Sequence, residues 1–503
     1  MSVHRLLPVS PRMSRNFLKE PALIAAAFIA AYFLHFTAGS LRTEFTHDDL
    51  MNGYRGWSYP LPSLLADNLL FFRFTPLYRP FGALVYKAFF GLFGFDLFPL
   101  RVFLWIALAG NVFLVYKLCR MLSGSEEAGL FAALVGSYHT KFGPLYYNSG
   151  TLYDILCFLF YFSAVVFYIG IRRQGKAMDA FQGAMLCVLY ILALNSKEVA
   201  VSLPVALILY ELLWHPPALN SPALWRWFSR QSLTVWITAA ITAAYVMGRV
   251  LSQEGSISTI GDYAMTVSAG EYFRKLAHYL NEVCYAPDWF DAPKAAVFSL
   301  ALLIAGAASR CRIFLFGGLL FFVGLLPMAF IHARALSAVY LPLAGLAICS
   351  AVLLGFVCNG LKRLSRRPVW QPLAFLLVFG IAGVSLVRLH PYNEHVYLAM
   401  QQGEYSQIRE ARLRLRQLHP EFPSGSRILI IKTPFSQYSP GHNNMFLIRL
   451  AYRDQSLTVE ELARFAENCE TPVLTDYDYL LSYEGGRWID VDPATLALML
   501  SDQ

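Results

Sequence analysis

The side chains in this sequence best suited to chemistry begin with two neighbouring carboxylates, Asp48 and Asp49, in the stretch LRTEFTHDDLMNGYRGW, directly after a long apolar run. A carboxylate within hydrogen-bond reach of a hydroxyl can take its proton, and two adjacent acids couple, so that one of them can be held protonated. Further ionisable residues recur where other apolar runs end. They are Arg79 in LYRPFG, His139 and Lys141 in SYHTKFGPLYYNSG, Asp154 in GTLYDILCF, Lys197 and Glu198 in LNSKEVAVSLP, and His332 and Arg334 in IHARALSAVYLPLAG. A charge at the centre of a membrane helix costs about 2.5–3.5 kcal/mol, so charges this close to apolar runs need a reason. As a set they would line one cavity holding both carboxylates and cations.

Singly, each has a plainer role. Adjacent acids after a span can be a solvated flank, Lys197 can snorkel beside a helix-end Glu198, His139 can be a packing residue, and Arg79 and Arg334 can anchor at headgroups. No HxxxH or HExxH spacing marks a metal site, and the eight cysteines form no CxxC pair or paired framework. Cys284 and Cys469 are the two that fall in outward-facing segments. A divalent ion beside the paired acids is conceivable, because hard cations take oxygen ligands.

The elements that must position these residues are membrane helices. The chain has 503 residues, 56% of them hydrophobic and 15% charged, with the apolar ones in blocks long enough to cross a hydrocarbon core of about 30 Å. Eleven spans are expected: Pro21 to Ser40, Val102 to Met121, Ala128 to Tyr147, Leu152 to Ile171, Phe181 to Leu194, Val199 to Trp214, Leu233 to Leu251, Ala295 to Ala308, Ile313 to Ile331, Leu336 to Val357 and Val369 to Val387. The first is read as retained, since no small-residue cleavage site follows it. Alternate loops then carry the basic residues: Arg5, Arg12, Arg15 and Lys19; Lys117 and Arg120; Arg172, Arg173 and Lys176; Arg226 and Arg230; Arg310 and Arg312; and Lys362, Arg363, Arg366 and Arg367. That alternation puts the N-terminus in the cytoplasm and the paired acids outside. It also accounts for the net charge of +8 without a nucleic-acid partner.

Two outer loops are long. The first, Leu41 to Arg101, holds LADNLLFFRFTPLYRPFGALVYKAFFGLFGF, apolar but interrupted by Pro76 and Pro80, and reads as helices lying in the interface. The second, Ser252 to Lys294, contains EYFRKLAHYLNEVCYAPDWF, whose Phe273, Leu276, Leu280 and Val283 recur at helical spacing. Beyond Val387 the chain turns charged, with a helical EYSQIREARLRLRQL and RILIIKTPF as a strand ending at a proline. The sequence therefore divides into a membrane domain, 1–387, and a small outward-facing α/β domain, 388–503.

Four blocks in order, HDDLMNG, LYRPFGALVYKAFFGLFGFDLFPLRVFLWIALAGN, LNSKEVAVSLPVALILYE and ARALSAVYLPLAG, resemble the polyprenyl-phosphate-sugar-dependent GT-C glycosyltransferases. The nearest likeness is to the transmembrane and tetratricopeptide-repeat O-mannosyltransferases, with the protein O-mannosyltransferases and the lipid A aminoarabinose transferase more distant. The resemblance implies a polytopic α-helical GT-C-like fold and an inverting transfer of a mannose-like hexose from a polyprenyl-phosphate donor to a hydroxyl on a protein, glycan or lipid acceptor. It implies that Asp49, with Asp48 as partner, acts as general base. Arg334, Arg79 and Lys197 would receive the leaving phosphate, and His139, Asp154 and Glu198 would position substrate. It favours a metal-independent site without cofactor, in a bacterial inner membrane, with the C-terminal domain periplasmic. The chain departs from the nearest relatives in having Ala333 where an acid is usual and in lacking tetratricopeptide repeats.

The competing reading is a transporter or flippase for a glycolipid or other anionic substrate, which predicts internal pseudo-symmetry and helices interrupted near the midplane. The two halves differ in loop length, and the charges lie at span ends. A scaffold whose outer domain binds partners would leave the buried charges unexplained.

Overall fold

Inside lipid a backbone can satisfy its polar groups only as helix or closed barrel, and this chain's long apolar runs take the first course. The computed structural model describes residues 19–73, 79–137, 139–218, 220–250, 266–332, 334, 336–364, 370–435, 442–467, 472–494 and 496. Helix α1 (Lys19–Thr37) leads into three helices of the first long loop, α2 (His47–Ser58), α3 (Leu61–Leu69) and α4 (Pro80–Phe93). The bundle continues with α5 (Phe98–Ser123), α6 (Glu126–Ser137), the short α7 (Gly143–Tyr147), α8 (Leu152–Arg172), α9 (Ala180–Ser196) and α10 (Leu203–Trp214). Then come α11 (Ser221–Arg226), α12 (Leu233–Tyr245), α13 (Ala269–Val283), α14 (Ala292–Ala308), α15 (Arg312–Ala329), α16 (Tyr340–Leu364) and α17 (Trp370–Met400).

Among the described residues, six helical stretches are long and apolar enough to cross a membrane: Pro21–Arg42, Phe98–Ser123, Ser149–Arg172, Arg312–Ala329, Leu336–Leu361 and Pro372–Leu418. Four shorter apolar helices accompany them, Pro80–Phe93, Ala180–Ser196, Leu233–Gly248 and Ala292–Ala308. The protein is a multi-pass membrane protein, but by length and composition the eleven crossings expected from the sequence are not reached. Two expected spans also differ in shape. Ala128 to Tyr147 is not one helix: α6 stops at Ser137, and the chain turns through a 3-10 turn at Thr140–Phe142 before Gly143 and Pro144 start α7. Helix α17 runs on to Met400, past the expected end at Val387.

Helix α8 is the axis on which the bundle is built. It packs between α5 and α9 and buries Phe158, Tyr161, Phe162 and Tyr168 almost completely. The expected surface helix is present as α13, which turns Leu276, Ala277, Tyr279 and Leu280 inward and keeps Arg274 outward, with Lys275 half-buried.

The C-terminal part contains α18 (Ser406–Leu418), β1 (Arg427–Lys432), α19 (Asn443–Tyr452), β2 (Thr458–Glu461), α20 (Leu462–Glu467), β3 (Tyr479–Glu484) and β4 (Arg487–Asp490). The sheet order is β2-β1-β3-β4, parallel except for the β3–β4 hairpin. Gly485 and Gly486 close that hairpin in two residues, both at positive φ (55° and 78°), as a tight primed turn demands. Central β1 buries Ile428, Leu429 and Ile430 in succession, the pattern of a strand covered on both faces. Cys284 is an exposed free thiol. The other outward-facing cysteine, Cys469, lies outside the described residues, as do Arg5, Arg12, Arg15, Pro76, Ala333, Arg366 and Arg367.

Candidate active site

Thr46 starts α2 by accepting a hydrogen bond from the Asp49 amide (3.2 Å), and the Asp49 carboxylate returns it by accepting from the Thr46 amide (2.9 Å). This capping box fixes the two acids in the first turn, where the helix dipole favours negative charge. It also sends them in different directions. Asp49 is completely buried: its Oδ2 additionally accepts from Thr46 Oγ1 (2.9 Å), and its Oδ1 accepts from Tyr86 Oη (2.7 Å) and Ser149 Oγ (2.5 Å). Four donors fill both of its oxygens. Asp48 is exposed, and the hydrogen bond it accepts comes from Asn148 Nδ2 (3.1 Å). Gly150 lies so close that a Cβ there would collide with the Asp48 side chain, so the loop after α7 is moulded to this carboxylate.

A second tier is built from α4, α8 and the junction of α9 with α10. Arg79, just before α4, grips Glu198 with two bonds, Nε to Oε2 (3.0 Å) and Nη2 to Oε1 (2.6 Å). Its guanidinium also lies 5.3 Å from the Tyr153 ring centroid. Burial raises the Glu198 carboxyl, but Arg79 more than reverses this and holds it down at about 2. Lys197 Nζ meets Asp154 Oδ1 at 2.5 Å. Tyr153 joins the tiers, donating to Asn52 Oδ1 of α2 (3.0 Å) and packing 6.4 Å from the Tyr86 ring. The structure thus assembles Asp48, Asp49, Arg79, Asp154, Lys197 and Glu198 around Tyr153, although they come from four parts of the chain. Both cations of this group are engaged by carboxylates.

The other expected residues gather on α13. His139 is buried and stacked on Tyr285, with centroids 4.4 Å apart and planes within 1°. Its Nδ1 accepts from the Lys141 amide (3.3 Å), so Nε2 carries the proton and donates to the Val283 carbonyl (3.0 Å). Both ring nitrogens of His139 are thus engaged by backbone groups. Lys141 pairs with Glu282 (2.6 Å), and the Arg334 amide donates to Tyr279 Oη (3.2 Å). Arg334 is half-buried, in the connection between α15 and α16.

The C-terminal part leans directly on the acid-bearing helix. Helix α19 packs on α2, with Arg449 Nη1 donating to Tyr54 Oη (2.6 Å) and Asn443 Nδ2 lying 3.2 Å from His47 Nδ1. His47, next to Asp48, is lowered from its ordinary value by burial, against the opposing pull of Glu404 and Asp48. Among the described residues no three His, Cys, Asp or Glu side chains converge as metal ligands would. With Asp49 saturated, Asp48 alone of the pair retains open acceptor capacity.

Tyr86, Asn148, Ser149 and Tyr153 were not singled out from the sequence. The run YYNSGTLYD did carry a signal, because Asn148 and Ser149 are polar residues at the threshold of an apolar span.

Residues 76–248, about a third of the chain, match the family model described as dolichyl-phosphate-mannose-protein mannosyltransferase. No curated protein matches the chain. Among solved structures the chain is similar to the archaeal oligosaccharyltransferase AglB from Archaeoglobus fulgidus, in complex with an inhibitory peptide and a dolichol-phosphate. That likeness has a TM-score of 0.51 and 14% identity, and covers 93% of this chain and 69% of that one. It is also similar to ArnT from Cupriavidus metallidurans bound to undecaprenyl phosphate, with a TM-score of 0.45 and 13% identity over 97% of this chain and 95% of that one. The resemblance read from the sequence holds at the level of fold: the chain is built on the GT-C plan, with a small C-terminal sheet.

Proposed function

We propose that the protein is an inverting glycosyltransferase that moves a hexose, mannose-like by preference, from a polyprenyl-phosphate donor to a hydroxyl on a protein, glycan or lipid acceptor. The observation that carries this reading is the division of labour between the two acids. A general base needs an open, solvent-reachable carboxylate held in a fixed direction, and Asp48 meets that requirement while Asp49 anchors the helix. The base is therefore assigned to Asp48 and not, as the family likeness suggested, to Asp49.

In the reaction the acceptor oxygen attacks the anomeric carbon as Asp48 takes its proton, and the bond to the phosphate oxygen breaks with its electron pair passing to the lipid phosphate. One displacement inverts the anomeric centre. The leaving phosphate gains charge that Arg79 and Lys197 are placed to offset by partial release from Glu198 and Asp154, with Arg334 a third candidate from the α15–α16 connection. Glu198 and Asp154 then hold the cations in register, and His139 braces the turn before α7. The donor class is supported by the family match and by the dolichol-phosphate that AglB holds on a similar fold. No metal is assigned a part.

The setting that fits is a bacterial inner membrane with the N-terminus cytoplasmic and the acids, together with 388–503, on the periplasmic side. Residues 1–387 form the transferase part, with α17 running across the boundary. The test is transfer, or slow hydrolysis, from labelled polyprenyl-phosphate-mannose and polyprenyl-phosphate-glucose in membranes holding wild type, Asp48→Asn or Asp49→Asn at matched expression. Cleavage lost in Asp48→Asn supports the assignment. Lipid that moves across the membrane without cleavage, equally in all three, replaces it with the transporter reading. Activity unaffected by EDTA would support the metal-free site.

A further inference from the structure

Arg101 sits in the first turn of α5, only 3% exposed, and no carboxylate lies within ion-pair distance of it among the described residues. Such a cation is doubly disfavoured, by burial and by the positive end of the helix dipole. What it binds is backbone. Nη1 donates to the Tyr146 carbonyl (3.3 Å) and Nη2 to the Tyr147 carbonyl (3.0 Å), while Nε has no partner. Those carbonyls end α7, and the next two residues are the ones that meet the acids: Asn148 donates to Asp48, and Ser149 to Asp49. The guanidinium is also within electrostatic reach of the Asp49 carboxylate.

We propose that Arg101 is a positioning residue whose two-pronged grip on the end of α7 sets Asn148 and Ser149, and through them the direction of the Asp48 carboxylate. The inference rests on the reading of Asp48 as base, but the clamp itself does not. A planar fork fixes two adjacent carbonyls at once, whereas an ammonium is a point charge that follows only one. The arrangement explains why a charge without a counter-ion is kept in this position, at the acid-bearing end of the bundle.

The test compares wild type, Arg101→Lys and Arg101→Gln in nanodiscs, with Ser149→Ala alone and combined with Arg101→Lys. Arg101→Lys is expected to cut kcat by up to about 10²-fold, the scale of an ångström of misplacement, with donor KM within about threefold of wild type. Deuterium uptake over 145–151 rises in both Arg101 variants. The double variant is no worse than the poorer single one, because both changes release the same loop. Wild-type kcat in Arg101→Lys, a raised KM at unchanged kcat, or unchanged uptake over 145–151 overturns the proposal. If wild type transfers no sugar, the glycosyltransferase reading fails, yet exchange still decides the clamp. Should Arg101→Gln not fold, Arg101→Lys keeps the test decisive.

Discussion

At the two ends of α8 the protein buries charge in different ways. Near its start, Asp154 pairs with Lys197, with side chains 13% and 10% exposed, and the neighbouring Arg79–Glu198 pair is about a fifth exposed. About 27 Å along the helix, at its last turn, Arg172 meets Glu211 with Nε to Oε1 at 2.7 Å and Nη2 to Oε2 at 2.9 Å. Tyr168 donates a third bond to Glu211 (2.8 Å), and Arg172 Nη1 donates to the Lys176 carbonyl (2.8 Å). Here the side chains are 4% and 0% exposed. The charged groups of this second cluster answer one another from within, while Tyr210 Oη and His215 Nε2 beside them are buried without a hydrogen-bond partner among the described residues. The first cluster has an open acid beside it and pairs that solvent reaches. Buried charge therefore does not by itself mark a site; what separates a site from a lock is whether the charges are already fully engaged.

The contrast can be broken most forcefully at Asp48. Asp48→Asn should lower transfer by about 10²–10⁴-fold, the usual worth of a general base. Its thermal stability should stay within about 0.5 kcal/mol of wild type, as for an exposed substitution. A large loss of stability, or activity near wild type, would erase the distinction. Arg172→Met should do the reverse, stranding the buried Glu211 carboxylate and costing about 3–5 kcal/mol in unfolding measurements. The folded fraction should then turn over at nearly the wild-type rate.

Gly150→Ala forces a Cβ against Asp48 and should cost about 1–3 kcal/mol by overpacking. Much of its effect should appear as reduced kcat in a steady-state assay. The smallest effect belongs to pH. Arg79 holds Glu198 at about 2, while an unfolded glutamate titrates near 4.5, so the stabilisation from this pair is whole above about 4.5 and fades as pH falls toward 2. Melting curves should show a constant gap between wild type and Glu198→Gln down to about pH 5, closing below that.

What the sequence disclosed followed from hydropathy. The apolar runs marked the helices, the α13 face was legible in the spacing of Leu276 and Leu280, and RILIIKTPF announced a strand that ends at Lys432, short of the proline. The broken helix at Ala128 to Tyr147 was not, although the polar run Ser137, His139, Thr140 and Lys141 interrupts the apolar stretch just before Gly143-Pro144 starts the new helix. For the acids, residue type was visible but their different burial and hydrogen bonding were not. Yet Thr46 stands three residues before Asp49, the spacing of a capping box, and that pattern could have shown that the Asp49 carboxylate caps α2. The pairing of Lys197 with Asp154 joins positions far apart in the chain, and spacing offers no route to it.

The docking of α19 on α2 has a consequence for how the molecule is made. The acid-bearing helix emerges early, but Asn443 and Arg449, which pack on His47 and Tyr54, are synthesised 396 and 395 residues after them. At roughly 5–20 residues per second, that is a wait of about 20 to 80 s. During this interval the face of α2 that α19 will cover stands uncovered, so the packing around His47 and Tyr54 is completed long after α2 itself.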